Sequence, residues 1–237
     1  MDQGFYNSFR LAIWIPPAPH QPYPGVQFPV NNQAALDQLW RANYFEILTP
    51  ANVQLQADGV ADFLDDIGPT VLLTHSGAGV RGWWTRIKSD KVKGIVAYEP
   101  GAYVYPIGEV PPPILRAEGV LVPVDAPLSS AIPLADFLKL TTIPIQIVIG
   151  DNIPKQLDPA NVGPRLGLDN ARINVERGRL FVDAINRHGG NAQLVILPEH
   201  DVFGNTHFIM WDTNNQQIAA MLSDWLSQHG LDNRLQR

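Results

Sequence analysis

The sequence predicts an α/β fold, a three-layer sandwich in which a mainly parallel sheet carries helices on both faces. Two observations predict it. Four short apolar runs, "TVLLTH" (70–75), "GIVAYE" (94–99), "IPIQIVIGDN" (143–152) and "AQLVILPE" (192–199), are bounded by turn residues in the manner of buried strands. Stretches with helical spacing follow the first, third and fourth of them, and that alternation joins parallel strands through crossovers.

Each element can be justified in chain order. Residues 1–30 read as an irregular arm, with prolines at 16, 17, 19, 24 and 29. In "NNQAALDQLWRANYFEIL" (31–48) the apolar residues Ala35, Leu36, Leu39, Trp40, Phe45 and Ile47 fall near helical spacing. Asn32 is its expected N-cap and Pro50 its expected stop. "ADGVADFLDDIG" (57–68) predicts a second helix, ended by Gly68 and Pro69. After the first strand a helix is expected from about Gly79 to Ser89. Residues 101–133 hold Pro111-Pro112-Pro113 and no clear period, so they read as a cap-like or lid-like excursion over the sheet. "ARINVERGRLFVDAINRHGG" (171–190) is a helix stopped at Gly189. "TNNQQIAAMLSDWLSQHG" (213–230) closes the chain, with Ile218, Met221, Leu222, Trp225 and Leu226 on one face. The 237 residues read as one domain.

Composition excludes several classes. A net charge of −6, with 17 scattered lysines and arginines, argues against nucleic acid as a partner, which would need a basic patch. The absence of cysteine rules out disulfides, thiolate metal sites and a thiol nucleophile. No apolar run reaches the length of a membrane span.

In parallel sheets chemistry gathers at the carboxyl ends of strands. That directs attention to Ser76, Glu99, Asp151 and the segment 199–207. "PTVLLTHSGAGVRGWW" (69–84) supports two readings. Gly77, Gly79 and Gly82 match the dinucleotide pattern G-x-G-x-x-G after a strand, with Glu99 placed for a ribose hydroxyl. Against this, Trp83 and Trp84 would crowd the third glycine, about seventy residues precede the motif, and His207 is left without a purpose.

The second reading makes Ser76 a nucleophile on a sharp strand-to-helix turn. Such a turn needs small neighbours; Ala78 and Gly79 provide them, while Thr74 is bulkier than usual. The Gly77 N–H would face the developing oxyanion. A serine hydroxyl needs a base, and "PEHDVFGNTHFIMWD" offers His200 and His207 after the last strand. Taken alone, Ser76 also reads as a helix N-cap. His75 should project to the opposite side and be structural, bonded in the sheet. His188 and His229 complement helix C-termini. His20, in the arm, has no assignable role.

"THSGAGVRGW", "IVAYEPG", "IVIGDNIP" and "GNTHFIMWDTNNQQIA" resemble the α/β-hydrolase fold. More narrowly, they resemble bacterial and fungal esterase-like serine hydrolases with a T-H-S-x-(G/A)-G elbow. The likeness runs from about Gln27 onward. It implies Ser76 as nucleophile, Glu99 as triad acid, His207 as base and Gly77 as oxyanion donor, acting on a small-molecule ester with no metal or cofactor. Most α/β-hydrolases place the acid one strand later, which keeps Asp151 as the alternative acid; His200 is the alternative base. The excursion, with Tyr103, Tyr105, Ile114, Leu115, Val120, Leu121 and Val122, is expected either to form an apolar pocket or to pack in the core.

The family also has several strands before the nucleophile strand and often a His-Gly oxyanion loop. Neither is found in residues 1–70, so N-terminal strands are expected to be missing. A bare sheet edge would invite pairing with another copy, a homo-oligomer. Two rivals follow: a hydrolase-fold binding protein with impaired catalysis, and the dinucleotide-binding protein.

Overall fold

A computed structural model describes residues 3–42, 47–124, 128, 130–161 and 166–233. The arm is more ordered than its prolines suggest. It contains α1 (Gln3–Ser8) and a two-stranded antiparallel ribbon of β1 (Ala12–Ile13) and β2 (Gln21–Pro22). Its aromatic residues explain the order. Tyr6, Leu11, Phe28 and Val30 form a small core with Leu36 and Leu39 of α2 (Gln33–Ala42) and with Phe208 from far along the chain.

Asn32 caps α2 as expected, its Oδ1 accepting from the N–H groups of Ala34 and Ala35 at 3.0 and 3.3 Å. Phe45 lies outside the described residues. Pro50 does not end a helix; it opens α3 (Pro50–Ile67). Thr49 is the cap, its hydroxyl accepting from Asn52 N–H at 3.2 Å, and proline is well suited to the first helical position because the N–H it lacks would have no partner there.

Four strands make the central sheet: β3 (Thr70–His75), β4 (Val92–Tyr98), β9 (Pro144–Ile149) and β10 (Asn191–Ile196). All pairs are parallel, in the order β10-β9-β4-β3, so β3 is an edge of the sheet formed by the described residues. The crossover helix α4 (Ala78–Lys88) links β3 to β4, and α6 (Leu166–Arg187) links β9 to β10. The excursion holds the short strands β5 (Val104–Pro106), β6 (Ile114–Leu115), β7 (Leu121–Val122) and β8 (Ser130–Ile132). It leads into α5 (Leu134–Leu140), and α7 (Asn215–Gln228) closes the fold.

Strand alternation divides the core. Ile95 and Ala97 face a large cluster with Trp83 of α4, Phe137 of α5 and Phe181 of α6. Val96 and Tyr98 face the other side, under Ile218 and Trp225 of α7. Helices on both faces and one parallel sheet give the three-layer architecture. Among the described residues no helix is long and apolar enough to cross a membrane.

Two glycines set how closely α4 approaches the strands. A Cβ on Gly79 would stand 2.4 Å from Pro100 Cβ, and one on Gly82 would stand 2.9 Å from Thr74 Cγ2. Gly82 thus makes room for the bulk of Thr74 before the turn. Trp83 does not crowd this contact, contrary to the expectation from sequence. It points into the core, fully buried, and its indole N–H donates to Ala102 O at 3.0 Å.

Candidate active site

Ser76 directly follows β3 and takes φ of 52°, in the left-handed region that a non-glycine residue enters at a cost. The surrounding backbone holds it there. Its N–H donates to Tyr98 O at 3.0 Å, and its carbonyl accepts from Gly79 N–H and Gly101 N–H at 3.0 and 2.9 Å. Gly77 is the N-cap residue just before α4, flanked by Leu48, whose Cδ1 is 3.5 Å from where a Cβ would be.

Glu99 follows β4, also with positive φ (48°), and is 3 % exposed. Both carboxylate oxygens are occupied. Oε1 accepts from Gly150 N–H at 2.6 Å and from the Arg10 guanidinium; Oε2 is 3.2 Å from His207 Nδ1. Burial alone would raise the pKa of this carboxyl group. The Arg10 charge, the bond and charge of His207 and the Gly150 N–H outweigh that and hold it at about 2. Glu99 is therefore a carboxylate across the useful pH range. It is also unavailable to a ribose hydroxyl, which the dinucleotide reading requires.

His207 is fixed from several directions. Its N–H donates to Phe9 O at 3.1 Å, and its ring stacks on Phe9 with centroids 4.8 Å apart. The preceding residues lock into a buried network on Asp212. Asp212 accepts from Thr206 N–H (2.8 Å), Thr206 Oγ1 (2.9 Å) and Asn205 Nδ2 (3.0 Å), and Asn205 and Asn214 exchange amide bonds. Each polar group in the Gly-Asn-Thr-His segment thus positions the loop that carries the histidine.

Asp151 and His200 lie elsewhere in the bonding scheme. Asp151 Oδ2 accepts from Gly204 N–H and Oδ1 from Asn152 N–H, at 2.8 and 2.6 Å, so its carboxylate shapes two turns. His200 is exposed at the end of a 3-10 turn, Leu197–His200.

Two residues join the site without having been singled out for it. Arg10 is 1 % exposed; it pairs with Glu99, and its Nε donates to Asp151 O at 2.8 Å. It thereby ties the arm to two strand ends. His75 is structural as expected, but its partner is the site and not the sheet. Its Nε2 donates to His207 O at 2.8 Å, and the two rings lie 4.6 Å apart.

Burial first, and His207 second, lower the His75 pKa to about 4, so its ring is neutral in the folded chain at neutral pH. Unfolding returns it to an ordinary value near 6.5, so between pH 6.5 and 4 the unfolded chain takes up a proton that the folded chain refuses. His75 should therefore cost up to about 3 kcal/mol of stability as pH falls through that window. Urea denaturation of the wild type and His75→Gln from pH 7 to pH 4 checks this: the wild type should lose ground to the variant as pH falls. Parallel curves would contradict it.

A cavity of about 270 Å³ reaches this centre, lined in part by Phe9, Arg10, Glu99, Gly101 and His207. It is not the apolar pocket considered from sequence. Tyr103 and Tyr105 are in the core, with hydroxyls donating to α6 carbonyls at Asn174 and Arg177. Leu115, Val120 and Leu121 are exposed on the β6–β7 hairpin. Of the residues named for the pocket, Val122 lines the cavity.

No protein-family model matches the chain. It is 30% identical over 206 residues to a protein named probable secreted lipase phiG from Fungal sp. (strain ATCC 74256), covering 78% of this chain and 56% of that one. Its fold matches a solved structure described as a novel bacterial esterase, with TM-score 0.65 and 24% identity, over 95% of this chain and 57% of that one. The chain thus spans little more than half the length of either. A parallel sheet with helices on both faces, a positive-φ serine between strand and helix, and these likenesses agree: the chain has an α/β-hydrolase fold and is similar to esterase-like proteins of that fold.

Proposed function

We propose that the chain is a serine hydrolase that cleaves a carboxylic ester through an acyl-enzyme, with Ser76, His207 and Glu99 as its triad. The observation that carries this reading is the contact of Glu99 Oε2 with His207 Nδ1. A carboxylate can only accept, so Nδ1 bears the hydrogen, and the neutral imidazole keeps its lone pair on Nε2. That is the nitrogen a serine hydroxyl needs.

The steps follow. Ser76 Oγ attacks the ester carbonyl as His207 Nε2 takes the hydroxyl proton. Glu99 orients the ring and stabilises its cation without taking the proton. The Gly77 N–H, at the start of α4, donates to the oxyanion of the tetrahedral intermediate. The C–O bond to the alcohol breaks, and His207 returns the proton to the departing oxygen. Water then attacks the acyl-enzyme with the same proton relay, releasing the acid and Ser76.

The test is partitioning. Two butyrate esters with different leaving groups, hydrolysed in aqueous methanol, should give the same ratio of butyric acid to methyl butyrate, because both pass through one acyl-enzyme. Ratios that differ with the leaving group would contradict the covalent route. Absence of turnover by the folded chain would favour a binding protein without catalysis.

A further inference from the structure

His207 is set among aromatic rings, and the one supplied by the arm lies nearly parallel to it. Phe9 covers the imidazole with ring centroids 4.8 Å apart and planes inclined by 22°. Phe208 stands edge-on at 5.4 Å and 75°, and His75 is tilted at 4.6 Å and 50°.

Phe9 is fixed in this pose by its own main chain and by its neighbours. Its N–H donates to Phe5 O at 3.1 Å, and its carbonyl accepts from His207 N–H at 3.1 Å. Its ring packs edge-on against Phe5 and tilted against Phe208, with centroids at 4.6 and 5.1 Å. Ring and backbone thus join the same two residues.

The proton relay places a positive charge on His207 each time it takes a proton. Little water is at hand to solvate that charge, because the side chain is 12% exposed. Glu99 answers it only in part, since Arg10 is already paired with the same carboxylate. His75 adds no negative charge, being neutral near pH 7. Asp212 grips the loop through Asn205 and Thr206, and burial pushes its carboxyl up to about 6. The face of a phenyl ring is the negative part of its quadrupole. A cation within about 6 Å of the ring centroid is drawn to that face, more strongly where water is excluded.

We propose that Phe9 is a positioning residue for the base: its ring face steadies the imidazolium that His207 becomes while it carries the Ser76 proton. The proposal rests on the reading of His207 as that base. It gives the arm a part in the chemistry beyond the buried pair of Arg10 and Glu99.

The test replaces Phe9 by 4-fluoro-, 3,5-difluoro- and 3,4,5-trifluorophenylalanine. Fluorine withdraws charge from the ring face step by step and nearly preserves the shape of the ring, so the packing of the arm is kept. Glu99, Arg10, His75 and Asp212 are the same throughout the series, so their titrations are common to all of its members. NMR on histidine-labelled protein reads the pH at which His207 is half-protonated. Its signal is identified among the six histidines by its absence in His207→Ala. The rate is kcat/KM for 4-nitrophenyl butyrate on the plateau of the pH profile.

Half-protonation should move to lower pH in the order of fluorine number, by roughly half a pH unit at three fluorines, and kcat/KM should fall about two- to fivefold. Half-protonation that stays fixed along the series would overturn the proposal even if the rate changed, because altered packing alone can change a rate. A moving half-protonation with constant kcat/KM would overturn it too, since the stack would then do nothing during turnover. A stepwise movement in a chain that turns over no ester sinks the hydrolase reading and leaves the stack. Turnover with a fixed half-protonation sinks the stack and leaves the hydrolase reading.

Discussion

Replacing Ser76 by alanine is expected to lower kcat/KM for an activated ester by roughly 10³- to 10⁶-fold, and His207→Ala should do the same. In the proposed triad the two residues act as one unit. With no base the hydroxyl is a poor nucleophile, and with no hydroxyl the base has nothing to activate. The double variant should therefore be no slower than the worse single variant. Steady-state kinetics on all three proteins check this. If the losses multiplied, each residue would be contributing independently, and the relay from Ser76 to His207 would be wrong. The fold should survive both changes, because the backbone bonds at Ser76 and the contacts of Phe9 and His75 to the His207 main chain do not need the deleted atoms.

Arg10→Met is the second large effect, chiefly on stability. Glu99 and Arg10 are both almost completely buried and paired. Removing one charge leaves the other without its partner in a low-dielectric site, which costs about 3–5 kcal/mol. The remaining carboxylate keeps the Gly150 and His207 bonds but loses the main effect opposing its burial, so its pKa should rise. The destabilisation should therefore ease as pH falls and Glu99 takes up a proton. The double variant Arg10→Met/Glu99→Leu should recover much of the loss, since no charge is left stranded. Urea denaturation of the single and double variants across pH is the measurement. A single variant as stable as the wild type would mean that the pair is not the anchor of the arm.

This anchor also shows where sequence reasoning stops. The four sheet strands were legible as apolar runs between turn residues; the central β4 and β9 are largely buried on both faces, whereas the outer β3 and β10 are only partly buried. Ser76 was a candidate because it directly follows β3 in a recognisable local pattern, and His207 because it lies in a recognisable pattern in the segment beyond β10. Arg10 carries no local signal. It lies 89 residues before Glu99, in a stretch whose prolines concealed a short helix and a ribbon. Its role comes from an aromatic core that the arm completes with α2 and Phe208.

Glu99 and Asp151 were hard to separate for a different reason. Both follow parallel strands, and position along a strand does not reveal where a carboxylate points once the backbone leaves the strand. Glu99 turns toward His207 at φ 48°, whereas Asp151 closes the Gly204 turn. Pro50 misled because proline marks both ends of helices, and Thr49 just before it was the deciding signal. Gly82 and Trp83 misled in the opposite way. They are adjacent in sequence, yet on a helix they face about 100° apart, one onto Thr74 and the other into the core. The excursion was read as either pocket or core because its apolar residues have no period. Its two tyrosines are core, and its hairpin is exposed.

Labelling the purified 237-residue chain with a fluorophosphonate probe, followed by peptide mapping, tests the central claim most directly, because such a probe reports an activated serine whatever the substrate. Modification at Ser76 that disappears in His207→Ala is the predicted result. A folded chain that takes up no label, or takes it up at another serine, would contradict it.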